Sequence, residues 1–436
     1  MTPPAVSSRG RNLALLAALL GWMFDGMEIG LFPIAGRPAL RELLNATGPD
    51  ADRLIGPWFS AIVASFLLGA ALGGVVFGWL GDRLGRVRAM ILSVLTYSLF
   101  SGLCALVETP MQLAVLRFVA SMGMGGEWAL GVALVAEVWP SRSRPLMAGL
   151  IGAAANVGFL IVGFVALGVS RFVEGLGDLL SFLPATWVEA LLRNSGWRMI
   201  FLVGAMPALL TFVIRFFVPE SEKWKASRAS GPKPAVADIF RGSLRRTTIL
   251  GSCLAGVALL GTWGAVQFLP AWAAQFTKDP QKAAWTQIVA AAGAIVIPVA
   301  VALLAERFNR RTAYIGLCAA ALVVCQILFW GFRTDPQFGV PFLVMAFLVN
   351  GITGGFYGWL PLYLPELFPT RVRATGAGFT YNAGRVIAAV GTVGSGGLLS
   401  LFGSYAVMGS VMSLIYLAGF VVIAYSPETK GRPLPE

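Results

Sequence analysis

Five charged side chains stand inside long apolar runs of this chain: Asp25, Glu28, Arg117, Glu127 and Arg385. A charge in such a run is costly unless it meets a partner or a ligand, so each marks a pathway or an internal pair. Asp25 and Glu28 are three residues apart and fall on one face of a helix. Arg117 precedes Glu127 by ten residues, roughly 15 Å along a helix. Glu127 either pairs with an arginine or binds a proton. Arg385 sits among Gly, Ala and Val and needs either an internal acid, for example Glu127, or the anionic end of a ligand. Arg215, near the end of its run, can snorkel to a water interface. Histidine is absent, so proton chemistry falls to the carboxylates.

Uncharged polar side chains also recur inside apolar runs: Trp263, Gln267, Asn350, Tyr357, Tyr381 and Asn382, with Asn156 and Thr353. Amides and hydroxyls of this kind suit a polar ligand, and the same types hold helices together. Glycines at 69, 73, 74 and 78, and at 123, 125, 126 and 131, read as close helix packing. A GxxxxGK[ST] phosphate loop is missing, which argues against ATP coupling. Cys104, Cys253, Cys318 and Cys325 lack CxxC spacing and lie in apolar runs, so we expect no disulfide framework, no metal and no cofactor.

The elements that must position these groups are membrane helices. Of 436 residues 57% are hydrophobic and 12% charged, with a mean hydropathy of +0.76, whereas soluble domains carry roughly a quarter charged residues. Apolar runs near 13–35, 56–80, 89–107, 111–139, 146–170, 198–217, 248–275, 284–305, 313–332, 340–364, 374–400 and 404–425 give twelve crossings at about 20 residues each. With the N-terminus inside, 21 Lys and Arg lie on inner segments and nine on outer ones, which places both termini in the cytoplasm. Charges set orientation here, so the net +12 does not signal nucleic acid. The basic N-terminal segment lacks a small-residue cleavage site, and the first run is expected to stay as a helix. The polar, basic stretch 218–247 divides an N-terminal half, 1–217, from a C-terminal half, 248–436. The outer stretch 171–197 is too interrupted by Glu174, Asp178 and Glu189 to cross, and is expected along the membrane surface.

Internal repetition is the strongest signal in the chain. The segment Gly78-Trp79-Leu80-Gly81-Asp82-Arg83-Leu84-Gly85-Arg86 matches Ala302-Leu303-Leu304-Ala305-Glu306-Arg307-Phe308-Asn309-Arg310, 224 residues later. Glu137-Val138-Trp139-Pro140-Ser141-Arg142-Ser143-Arg144 matches Glu366-Leu367-Phe368-Pro369-Thr370-Arg371-Val372-Arg373, 229 residues later. The sixth and twelfth runs end in Pro219-Glu220-Ser221 and Pro427-Glu428-Thr429. The fold expected is therefore an all-α membrane protein of twelve transmembrane helices in two pseudo-symmetric six-helix halves, with a midplane site between halves that rock. Asp82, Arg83, Arg86, Glu137, Arg142, Glu306, Arg307, Arg310, Glu366 and Arg371 lie at cytoplasmic helix ends, where acid–base pairs can latch the halves in one state and break in the other.

The Gly78-x-Leu80-x-Asp82-Arg83-x-Gly85-Arg86 loop resembles the signature of the major facilitator superfamily. Arg117-Phe118, Gly123-x-Gly125-Gly126-Glu127 and Ala136-Glu137-x-Trp139-Pro140 are similar to the fourth helix of its organic-acid proton symporters, the sialate, metabolite and aromatic-acid groups. Asp25-Gly26-Met27-Glu28 is similar to the aromatic-acid DGxD, with Glu in place of the second Asp. Gly378-Phe379-Thr380-Tyr381-Asn382 is most like the sialate group, and Pro427-Glu428-Thr429-Lys430-Gly431 is like the end of sugar porters. The resemblance implies a secondary transporter and no enzyme: proton-coupled uptake of a small organic anion, a carboxylate, by a monomer in a bacterial inner membrane. In that reading Asp25, Glu28 and Glu127 with Arg117 serve the proton, and Arg385, Gln267, Asn350, Tyr357, Tyr381, Asn382 and Trp263 the substrate. Sugar porters pair an acid at the Glu28 position with the arginine matching Arg117. A sugar or polyol porter is the second reading, and a drug–proton antiporter, which lacks support in Asn156-Val157-Gly158-Phe159, or a non-transporting sensor stands behind it.

Overall fold

The computed structural model describes residues 8–47, 51–140, 143–230 and 234–435. The chain is helical throughout these segments, with short turns between helices. The first half comprises α1 (Ser8–Leu43), α2 (Ala51–Leu84), α3 (Arg86–Leu103), α4 (Pro110–Val138), α5 (Arg144–Leu167), α6 (Val169–Leu179), α7 (Ala185–Val203) and α8 (Ala208–Phe217). A short helix, α9 (Glu222–Ser230), lies in the connection. The second half holds α10 (Gly242–Gly264), α11 (Leu269–Thr277), α12 (Pro280–Arg307), α13 (Arg310–Gly331), α14 (Val340–Glu366), α15 (Arg373–Phe402), α16 (Tyr405–Ser413) and α17 (Ile415–Ala424).

Ten helical stretches are long and apolar enough to cross a bilayer, and Gly196–Leu210 is a shorter apolar one. With the 30-residue α15 they make the twelve crossings. Three are broken. The sixth breaks between α7 and α8 at Pro207, which has no N–H to donate into a helix, and the chain there tightens into i→i+3 bonds such as Ala205 N–H to Leu202 O at 2.9 Å. The seventh breaks at Ala265 and the twelfth at Leu414. The stretch expected along the membrane surface folds as α6 followed by the first part of α7, with Leu179, Phe182 and Trp187 exposed.

Local chemistry sets the helix ends. α4 opens on a capping box, Thr109 Oγ1 accepting from Gln112 N–H and Gln112 Oε1 accepting from Thr109 N–H, both at 3.2 Å, an arrangement worth about 1 kcal/mol. Between α2 and α3 the chain turns on Gly85 at φ +113°, a conformation that side chains disfavour. Close approach sets the interior. Gly26 of α1 lies against the Ala155 backbone of α5, and Gly158 of α5 lies against Met23 O and Met27 N, where a methyl group at either glycine would collide with main chain. The halves meet along α2 and α4 against α15, and α5 against α12 and α14. One core runs across that boundary, from Trp22, Trp128 and Ile151 of the first half to Phe356, Trp359 and Tyr381 of the second.

Candidate functional site

Midway along the bundle α1, α3, α4 and α15 converge. Asp25 stands one turn after Gly21, and the Glu127 carboxyl from α4 packs directly on Gly21. Both carboxyls are buried, and among the described residues none of their four oxygens has a partner at hydrogen-bond distance. The Tyr97 ring of α3 faces Glu127. Trp22 lies 6.1 Å from both Trp128 and Tyr381, and Trp128 stacks on Tyr381 at 3.9 Å. From α15 the half-buried Arg385 lays its guanidinium 5.0 Å over Tyr381 and donates to Asn382 Oδ1 at 3.2 Å. Its charge acts on Asp25, yet among the described residues no carboxylate forms a salt bridge with it. Tyr357 of α14 faces Thr262 and Trp263 of α10 and also feels Arg385.

Glu28 lives in a different environment one turn along α1. Its Oε1 accepts from Arg117 Nη1 and from Ser101 Oγ at 2.7 Å. The Arg117 guanidinium is enclosed by the rings of Phe66 at 4.6 Å, Phe32 at 4.8 Å and Phe201 at 5.8 Å. This is a buried, closed ion pair, whereas Asp25 and Glu127 are buried and open.

At the end of the bundle that carries both described chain ends, a second cluster bolts the halves together. Asp82 Oδ1 accepts from Arg86 at 2.7 Å and from Ala374 N–H at 3.2 Å; Oδ2 accepts from Thr375 N–H at 2.7 Å and its hydroxyl at 2.5 Å. A carboxylate of the first half thus caps α15 of the second, where free N–H groups and the positive helix end favour it. Arg86 also donates to Glu137 at 2.8 Å and to Thr370 O at 2.9 Å, and Glu137 receives the buried Arg373 at 3.0 Å. Glu220 accepts from the first amides of α3, Arg86 N at 3.0 Å and Val87 N at 3.2 Å, and Trp224 Nε1 donates to Asp82 O at 2.8 Å. Burial pushes the Glu220 carboxyl above the usual glutamate range despite those amides.

The repeat reappears in the second half as geometry. Arg310 bonds Glu366 at 2.8 and 3.1 Å and Glu306 at 3.2 Å, while Glu428 caps α13 through Arg310 N at 3.1 Å and Arg311 N at 3.0 Å. Glu428 lies below the usual glutamate range, since these amides with those of Lys430 and Thr429 outweigh the opposing effect of burial. Glu306, however, is 44% exposed at its side chain and bonds within its own half. The bolt is one-sided: Asp82 crosses between halves, and among the described residues its counterpart bonds Arg310 alone.

A profile of the Major Facilitator Superfamily matches residues 14–392. The chain belongs to that superfamily. It is a multi-pass membrane transporter rather than an enzyme. The chain is similar to a probable 4-methylmuconolactone transporter of Cupriavidus pinatubonensis, 31% identical over 95% of this chain and 90% of the relative. It is also similar to the cis,cis-muconate transport protein of Acinetobacter baylyi, 28% identical over 98% of this chain and 97% of that one. Among solved structures, the proton:xylose symporter XylE bound to 6-bromo-6-deoxy-D-glucose superposes with a TM-score of 0.78 at 16% identity, covering 98% of both chains. That last likeness concerns the fold.

In this transporter the expected residues divide by surroundings. Asp25, Glu127, Trp263, Tyr357, Tyr381 and Arg385 gather at the centre. Asn382 is there too, but its amide donates across the boundary to Gly125 O at 3.3 Å and back to Gly378 O at 2.9 Å, and its oxygen receives Arg385, so the side chain is fully engaged. Asn350 bonds its own helix at Ala346 O, 3.0 Å, and Gln267 is exposed in the turn after α10. Arg385 and Glu127 do not form the permanent pair that was one of two expectations. Arg83 and Arg307 point outward, exposed, Arg83 over Trp79 at 5.1 Å. Arg371 bonds Asp238 at 2.8 Å rather than the buried cluster, and Arg142 lies outside the described residues. Arg373, Glu220, Trp224 and Asp238 hold contacts that the sequence reading did not assign.

Proposed function

We propose that this transporter takes up a small organic anion together with protons by alternating access, with both termini and the Asp82 bolt on the cytoplasmic side of a bacterial inner membrane. The observation that carries this reading is Arg385: a half-buried guanidinium, mid-bundle, held by Asn382 and Tyr381 and, among the described residues, by no carboxylate. A substrate carboxylate is its natural partner through charge-assisted hydrogen bonds. Trp263, Tyr357 and Tyr381 supply rings and donors around it, Asn382 holds it in place, and Gln267 and Asn350 lie nearer the margins. Asp25 and Glu127, buried without partners, are the groups that take the proton, since an unpaired carboxylate in a dry site is costly and a neutral acid is not. Glu28, closed on Arg117, serves the proton by shaping the field around them. The transport of muconate and 4-methylmuconolactone named for two relatives supports an acidic or lactone cargo.

The second reading, a sugar or polyol porter, draws on Pro427-Glu428-Thr429. Glu428 and Thr429 are spent on capping α13 and on Glu366, so that motif bears on architecture and leaves the cargo open. The experiment is a binding comparison on purified protein. Arg385→Ala is expected to weaken a carboxylate by about 2 kcal/mol or more and to spare its neutral analogue. Equal losses for both overturn the anion reading and favour the sugar or polyol one.

A further inference from the structure

The chain returns to the bolt after its last helix. Beyond Glu428, Lys430 Nζ donates to Arg307 O at 2.9 Å and Arg432 N–H to Thr429 O at 3.1 Å, which keeps the segment on the second half. Pro435 then presents its carbonyl to three donors: Arg373 Nη2 at 2.7 Å, Thr370 N–H at 3.2 Å and the Thr370 hydroxyl at 3.4 Å. Arg373 is fully buried and its other donors go to Glu137 and Pro365 O. The carbonyl of Pro435 therefore completes the hydrogen bonding of the guanidinium that joins the halves. One residue earlier, Leu434 is buried in a small cleft whose walls belong to different halves. Val135 and Ile151 of α4 and α5 form one wall, and Pro361 and Leu362 of α14 form the other.

We propose that Pro433-Leu434-Pro435 is a wedge that sets the balance between the two states of the transporter by belonging to only one of them. The segment is anchored on the second half and reaches the first through the Leu434 side chain and through Arg373. When the halves part at this end, α4 and α5 draw away from α14, and Leu434 loses one wall of its cleft. An apolar side chain then faces water, while the Pro435 carbonyl stays with Arg373 and Thr370 on the second half. The wedge thus adds apolar burial to the bolted state and takes it away from the open one. Two prolines flanking Leu434 stiffen the segment, so little order is lost when it seats. The inference rests on alternating access, and it is independent of cargo and of proton coupling.

The test reads the balance without substrate. Spin labels are placed at Arg88→Cys on α3 and Phe308→Cys after α12, both exposed and on opposite halves, with the four native cysteines replaced by alanine. In lipid nanodiscs the unaltered tail is expected to give mainly the short distance of the bolted state. Leu434→Asp, and a chain stopped after Arg432, are expected to raise the long-distance fraction at least threefold, and Leu434→Met to leave it as it was. If the stopped chain does not fold, Leu434→Ala replaces it with a rise of about twofold. An unchanged distribution in Leu434→Asp overturns the wedge, as does an equal rise in Leu434→Met. A shift in distances with substrate selectivity intact separates this proposal from the reading of Arg385.

Discussion

Two buried pairs, Glu28 with Arg117 and Asp25 with Glu127, lie within about three helical turns on α1 and α4 and have opposite physical characters. Glu28 is neutralised by Arg117 inside a cage of three phenylalanines, and removing one partner strands the other charge. Arg117→Leu or Glu28→Ala alone is therefore expected to cost about 3 kcal/mol or more of stability, with the double variant recovering much of it; thermal unfolding in detergent measures both. Asp25 and Glu127 make no such bond, so Asp25→Asn and Glu127→Gln are expected to leave unfolding almost unmoved. Accumulation driven by a pH gradient is expected to disappear in at least one of them, and retention of full accumulation in both would remove these acids from the coupling. Asp25, Glu28, Arg117, Glu127 and Arg385 were legible in the sequence because a charge in an apolar run is conspicuous. Their partners were not, because pairing depends on which faces of α1, α4 and α15 meet, and one strand of sequence does not carry that register. Arg373 shows the same gap: beside Arg371 at a helix start it reads as one more cytoplasmic charge. Only the helical phase that puts Thr375, Gly378 and Asn382 against α2 and α4 decides that Arg373 is buried and Arg371 is not.

Among elements, the capped helix starts are the most transferable feature. Glu220 on α3 and Glu428 on α13 are equivalents 208 residues apart, each accepting from two opening amides. The repeated Pro-Glu-Ser/Thr was visible in the sequence, but what it bonds was not, because its target lies 134 and 118 residues upstream. Glu428 carries a lowered carboxyl, so its contribution is full above the ordinary glutamate value of 4.5 and is lost as pH falls through the lower folded value. Unfolding followed between pH 7 and pH 3 is expected to show a steeper loss for the parent than for Glu428→Gln, and parallel curves would deny the cap that role. The broken helices were the least legible, since apolar runs continue across Ala265 and Leu414; Pro270 stands in the first turn of α11, past the one break, and no proline marks the other.

For the whole molecule, the one-sided bolt makes the transport cycle depend on Asp82 far more than on Glu306. Asp82→Asn is expected to slow turnover in proteoliposomes several-fold while substrate affinity stays within a few-fold, because the change acts on the exchange of states. Glu306→Gln is expected to have a much smaller effect, and equal effects would mean that the second bolt forms in the other state. Twelve crossings and two halves could be counted from apolar runs and repeats alone. The asymmetry could not, because Asp82 and Glu306 occupy equivalent places in the repeat and differ only in what the opposite half brings to them.

The side chains of that bolt are two carboxylates, Asp82 and Glu137, and two guanidiniums, Arg86 and Arg373. A membrane potential of 100 mV does about 2.3 kcal/mol of work on each elementary charge carried across it, but these four sum to zero. Closed, the bolt therefore presents no net charge to the field, with −1 of it on the first half and +1 on the second. Over a complete cycle the protein returns to its starting state, so the current per turnover reads the charge of the cargo and its accompanying protons.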